Sequence, residues 1–175
     1  MDTTAMLIDV AILTPIIAVV GILAFSKKPN LREAISLIAG VTLLAINLKL
    51  YSSFNHGEVL SRQWLEILPG LNLSFRVDAL GLLFGLVASL LWPVTTLYAI
   101  GYMRGHNEDH QTRFYACFAI AIAAVMAIAY AENLFTLFIF YEVLSLCTYP
   151  LVTHAGTEKA KKGGRVYLGI LMGTS

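Results

Sequence analysis

Long apolar runs, separated by short polar stretches, limit what this chain can fold into more than any other feature. A helix needs about 20 mostly apolar residues to cross ~30 Å of hydrocarbon. Runs of about that length fill residues 6–25, 34–54, 80–100, 114–131 and 134–152, and a sixth run begins at 166 and continues to 175. Ten residues make only ~15 Å of helix, so the sixth run covers half a bilayer. Charged residues are 13% of the 175, about half the share of a soluble domain. The pattern predicts an all-α polytopic membrane protein, with residues 1–175 as one transmembrane domain. It holds five complete transmembrane helices and the first half of a sixth. A soluble enzyme, a nucleic-acid binder and a disulfide scaffold are excluded.

Basic residues set the orientation. The loops after the first, third and fifth runs hold Lys27, Lys28, Arg32, Arg104, Arg113, Lys159, Lys161, Lys162 and Arg165. The other side holds Arg62 and Arg76, with Lys49 near the end of the second run. The positive-inside rule then puts the N-terminus outside and the basic loops in the cytoplasm, in the cell's cytoplasmic (inner) membrane. The stretch 55–79 is too polar to span and is predicted to be an extracytoplasmic loop or hairpin. Within it Leu71, Leu73, Phe75 and Val77 alternate with Asn72, Ser74 and Arg76, a strand pattern. The opening MDTTAM has no Lys or Arg, so no cleaved signal peptide is predicted and the first run stays as a helix.

Cys117 and Cys147 lie inside apolar runs and read as small hydrophobes. No CxxC, Walker A, GxGxxG or GxSxG motif occurs, so no cofactor, nucleotide or hydrolase site is predicted. His106 and His110 lie four apart around Glu108 and Asp109, but the acid is misplaced for HExxH, and a solvated charged loop with no metal is predicted.

Glu142 is the sharpest candidate, because it sits near the middle of the fifth run. A carboxyl there costs ~2.5–3.5 kcal/mol to insert and must face protein or water, as proton-carrying groups do. Ser145 and Tyr149 fall at i+3 and i+7 on the same helical face, where they could solvate a proton chain. His154 follows at the cytoplasmic edge and either relays protons or marks the interface. Supporting candidates carry bland readings beside them: Asp78 as a helix cap, Glu132 as the acid of a helical hairpin turn, Lys49 as a snorkelling side chain. Asp9, close to the outer end of the first run, is explained by terminal polarity.

Three segments together carry a family resemblance: FRVDALGLLF, YMRG and AENLFTLFIFYEVLSLCTYPLV. From about Phe75 to Ser175 the chain resembles the N-terminal part of the proton-conducting, antiporter-like subunits of respiratory complex I, Mrp-type Na+/H+ antiporters and membrane-bound hydrogenases. The phrase YPLVTHAGTEKAKKGGRVYLGILMGTS looks closest to the D-type subunits of Mrp antiporters and their hydrogenase-type relatives. The resemblance implies that Glu142 is the family's mid-membrane glutamate, which pairs with a lysine on a seventh helix to gate a proton half-channel. It implies that Asp78 is the acid that opens the third helix. Members have two inverted repeats of five helices, and this sequence stops before the lysine partner.

Three readings follow. The first is a subunit of a multi-subunit complex that translocates protons, in cation/proton antiport of the Mrp type or coupled to a respiratory or hydrogenase complex. Its implied partners are other membrane subunits, a chain carrying the later helices, protons, Na+ as exchanged cation and the bilayer, with no nucleic acid. The second is a non-pumping paralogue or split half that serves assembly. The third, an intramembrane enzyme, would need paired acids or a metal set within the spans, and only Glu142 lies deep.

Overall fold

In this computed structural model residues 5–106, 108–154 and 156–174 are described. The end of the sixth apolar run at Ser175 lies outside them. Each apolar run forms a helix: α1 (Met6–Ala24), α2 (Pro29–Asn55), α3 (Ala79–Gly105), α4 (Gln111–Ala129), α5 (Leu134–Val152) and α6 (Glu158–Thr174). The first five are long and apolar enough to cross a membrane. Between α2 and α3 lies an antiparallel hairpin, β1 (Ser61–Leu68) and β2 (Leu71–Arg76), turned by Pro69 and by Gly70 at φ 85°.

Helix ends depart from the apolar runs where polar residues find partners. Pro29 opens α2, where its missing N–H costs nothing, and the helix thereby takes in Arg32 and Glu33. The sixth helix starts at Glu158, eight residues before the apolar run at Val166. Its first turns are charged, with Lys161 paired to Glu158 at 3.0 Å. Asp78 caps α3 by accepting from the Gly81 amide at 2.6 Å. At the α4–α5 turn the cap is Asn133, whose Oδ1 accepts from the Thr136 amide at 2.8 Å; the Glu132 side chain is exposed.

Helices α1 to α4 form a ring in which each packs on the next and α4 closes on α1. The core runs through it, with Ile8, Ile12 and Ile22 of α1, Leu43 and Leu50 of α2, Trp92 of α3 and Tyr115, Met126 and Tyr130 of the α4 segment fully buried. Close backbone approach sets its tightness. A Cβ on Gly81 would collide with the Ala129 carbonyl oxygen, so only glycine lets α3 meet the end of α4 there.

Helix α5 packs outside the ring against α4, and α6 packs on α5. Half of the apolar window of α4 is buried, but only 17% of that of α5. Thr136 and Ser145 are its two buried residues. The antiparallel arrangement gives the bundle two unlike ends: a basic end with the α1–α2, α3–α4 and α5–α6 connections, and a hairpin end.

Candidate functional site

The hairpin end is knitted by polar contacts that fix the start of α5. Strand β2 extends onto the α4–α5 turn, where Arg76 N donates to Tyr130 O at 2.7 Å and Glu132 N donates to Ser74 O at 3.0 Å. Asn133 Nδ2 donates to Asn72 O at 2.8 Å, and the Ser74 amide donates to Thr136 Oγ1 at 3.1 Å. On the other flank Asp9 pairs with Arg62 at 3.0 Å and accepts from Trp64 Nε1 at 2.6 Å. Asp9 therefore anchors the hairpin to α1, which terminal polarity does not describe.

On α5, Glu142 is half-buried and its Oε1 is buried with no hydrogen-bond partner among the described residues. A carboxyl oxygen withdrawn from water without a hydrogen-bond partner is costly to bury. Ser145 is buried one turn on, its hydroxyl donating to Tyr141 O at 3.0 Å. Tyr149 follows about 10 Å along the axis from Glu142 at 1.5 Å per residue. It and Thr153 line a cavity of about 660 Å³ at the basic end. His154 lines it too. Its ring packs edge-on to Phe114 with centroids 5.5 Å apart, and both ring nitrogens are buried without hydrogen-bond partners among the described residues. Burial, and then the Arg113 charge, push its pKa below the ordinary 6.5, which favours the neutral imidazole.

Ser145 and Tyr149 thus fall at i+3 and i+7 from Glu142 on α5, and His154, two residues past the helix, shares the basic-end cavity with Tyr149. The supporting candidates stand apart from these residues. Asp78 is engaged in its cap, Glu132 is exposed at the hairpin end, and Lys49 is exposed on α2.

Two buried polar clusters were not legible as sites in the sequence. At the basic end Glu33 accepts from Arg104 Nη2 at 2.5 Å, while Arg32 donates to Gln111 at 2.8 Å and Thr112 at 3.0 Å and lies 5.1 Å over the Tyr115 ring. Arg32 and Glu33 are 4% and 3% exposed, so these are interior charges rather than loop residues. Deeper in the ring, Tyr130 OH donates to Asn47 Oδ1 at 2.5 Å and Asn47 Nδ2 donates to Gly85 O at 3.2 Å. Adjacent opposite charges at the head of an apolar run were the available signal for the first cluster. The second had the lone Asn47.

Comparison with known proteins adds an independent line. Residues 64–115 match the family described as the N-terminus of chain 5 of NADH-ubiquinone oxidoreductase (complex I). A probable K(+)/H(+) antiporter A/B-type subunit from Rhizobium meliloti is 29% identical over 170 residues, 94% of this chain and 16% of its own length. The A1-type subunit of a Na(+)/H(+) antiporter from Staphylococcus haemolyticus is 26% identical over 88% of this chain and 19% of its own length. The chain spans about a fifth or less of the curated relatives it matches. These relatives are A-type by name, where the sequence phrase after Tyr149 pointed to the D-type.

Proposed function

We propose, from the premise that this chain corresponds to the N-terminal part of the proton-conducting antiporter-like family, that it contributes a proton-loading carboxyl to a membrane complex exchanging a cation for protons. The observation that carries this reading is the unpartnered Oε1 of Glu142 on α5, the least buried of the five membrane-length helices. An ionisable group inside a membrane span marks an ion or proton path by default. Ser145, Tyr149 and His154 extend the path to the basic end. The partner is a helix bearing a lysine or arginine, packed on the free face of α5 and supplied by a neighbouring segment or protein. Na+ or K+ is the exchanged cation, after the names of the relatives. By the distribution of basic residues the basic end faces the cytoplasm across the cytoplasmic membrane, with the N-terminus outside.

Glu142→Gln in the complete protein, within its assembled complex, tests this. Removing the titrating group should slow proton-coupled transport at least about 100-fold, the scale of losing a positioned acid or base, while Glu142→Asp retains part of it. Wild-type flux through an assembled Glu142→Gln complex would overturn the role and favour an assembly function instead.

A further inference from the structure

The loop HNEDH reads in sequence as a solvated charged stretch. In the structure its His106, Glu108, Asp109 and His110 wall the cavity that Tyr149 and His154 also line. His106, Glu108, Asp109 and His110 come from the α3–α4 connection, and Arg113 from the first turn of α4. Across from them stand Lys161 and Arg165 of α6. Gly164 holds α6 in place there, since a Cβ would collide with Thr153 Cγ2 and lie 3.1 Å from the Tyr149 ring.

The charges decide what such a cavity can hold. Three cations (Arg113, Lys161, Arg165) face two carboxylates, and Lys161 already pairs with Glu158, so cations and carboxylates balance three to three. A balanced wall gives no net attraction to an anion. No group of three or more His, Cys, Asp or Glu side chains is arranged to hold a metal ion among the described residues. What remains is three imidazoles and two carboxylates around a space large enough for many water molecules. His106 Nδ1 lies 3.0 Å from the Tyr102 carbonyl and its ring stacks on Tyr102, so Nδ1 donates and the Nε2 lone pair is left to accept a proton.

We propose that this cavity is the proton-collecting mouth of the Glu142 path, in which His106, Glu108, Asp109 and His110 capture protons from the solvent at the basic end and His154 passes them inward. The assignment rests on Glu142 as a proton carrier and adds the side and the residues of uptake. Only a proton moves. It adds to an imidazole lone pair or carboxylate oxygen and leaves that group for the next acceptor, with water between the loop groups and the His154 ring turning to expose its buried nitrogens. The groups facing His154 fit a transfer role. Burial, Arg113 and His110 disfavour its charged form, and Glu108 opposes them. Lys161, Arg165 and Tyr149 complete its surroundings on the cavity wall.

The test uses the full complex in vesicles with the basic end facing the bath. Initial proton uptake is followed with a pH indicator at low and at high concentration of a mobile buffer. The fourfold variant H106Q/E108Q/D109N/H110Q should take up protons about tenfold more slowly at low buffer, less than the ~100-fold of losing a positioned acid or base because water still delivers some protons. High buffer on that side should restore the wild-type rate, because buffer molecules then deliver the protons. If the fourfold variant does not assemble, the pair H106Q/H110Q is measured in the same way. Wild-type uptake at low buffer, or slowing that buffer fails to relieve, would overturn the mouth. Loss of flux in Glu142→Gln alongside an unaffected loop variant overturns the mouth alone, whereas full flux in Glu142→Gln overturns the carrier and the mouth together.

Discussion

At the scale of single residues, the basic end depends on charges that are buried rather than loop-borne. Glu33 neutralises Arg104 and sits beside Arg32, whose guanidinium is withdrawn from water. Removing one partner of a buried pair leaves an uncompensated charge, which typically costs about 3–5 kcal/mol. Arg104 keeps about half its side chain in solvent, so Glu33→Ala should lower the thermal midpoint of the purified protein by less than the loss of a fully buried pair would, mainly by stranding Arg32. Gly81→Ala should also destabilise, by about 1–3 kcal/mol, because the added methyl meets the Ala129 carbonyl, a backbone atom that cannot rotate away. The same midpoint measurement checks it, and Gly101→Ala, where a Cβ meets nothing within 4 Å, is the control.

His154 gives a pH dependence. Its folded pKa lies below the ordinary 6.5, so the unfolded chain binds the proton more tightly. The contribution is intact above pH 6.5, falls as pH drops through that value and levels off below the folded pKa. His154→Gln should flatten this limb of a stability-versus-pH curve between about pH 7.5 and 5.5, without changing stability at about pH 8 by more than a small amount. A limb of unchanged steepness in the variant would assign it to other groups.

At the scale of elements, the hairpin acts as a bracket across α1, α4 and α5. Trp64 packs on Phe75 with centroids 4.6 Å apart while donating to Asp9, and Phe75 packs on Phe140 of α5 at 5.8 Å. Asn133 does two jobs, capping α5 and holding β2. Asn133→Ala should cost about 1–2 kcal/mol, from the lost cap with the lost bonds to Asn72 O and Ser74 Oγ added. Faster hydrogen exchange at the Ser74 and Thr136 amides, with exchange in the middle of α1 unchanged, would locate the effect. In the sequence, the alternation 71–77 marked the second strand, and Glu132 stood out as the charged residue of the turn. Charge drew attention to the wrong neighbour, because a cap depends on which side chain reaches the free amides.

At the scale of the whole molecule, the two ends of the bundle lie on opposite sides of the membrane. With Cys117 and Cys147 replaced by Ala, a single cysteine at Lys28 should react with an impermeant thiol reagent only from the cytoplasm. One at Glu66 should react only from outside. The reverse pattern would invert the orientation while leaving the fold intact.

The sequence by itself determined that the chain crosses a membrane, roughly where its helices lie, which ends share a side and that Glu142 stands mid-way along the fifth helix. Those properties follow from hydrophobicity summed over about 20 neighbouring residues and from charge counts, both local along the chain. The tertiary structure decided that Arg32 and Glu33 are interior, that Asp9 serves the hairpin and that His106, Glu108, Asp109 and His110 share a cavity wall with Lys161 and Arg165. The pairings behind the first two join residues 55 to 80 positions apart. No local window contains both partners, because helix packing and not sequence distance brings them within reach.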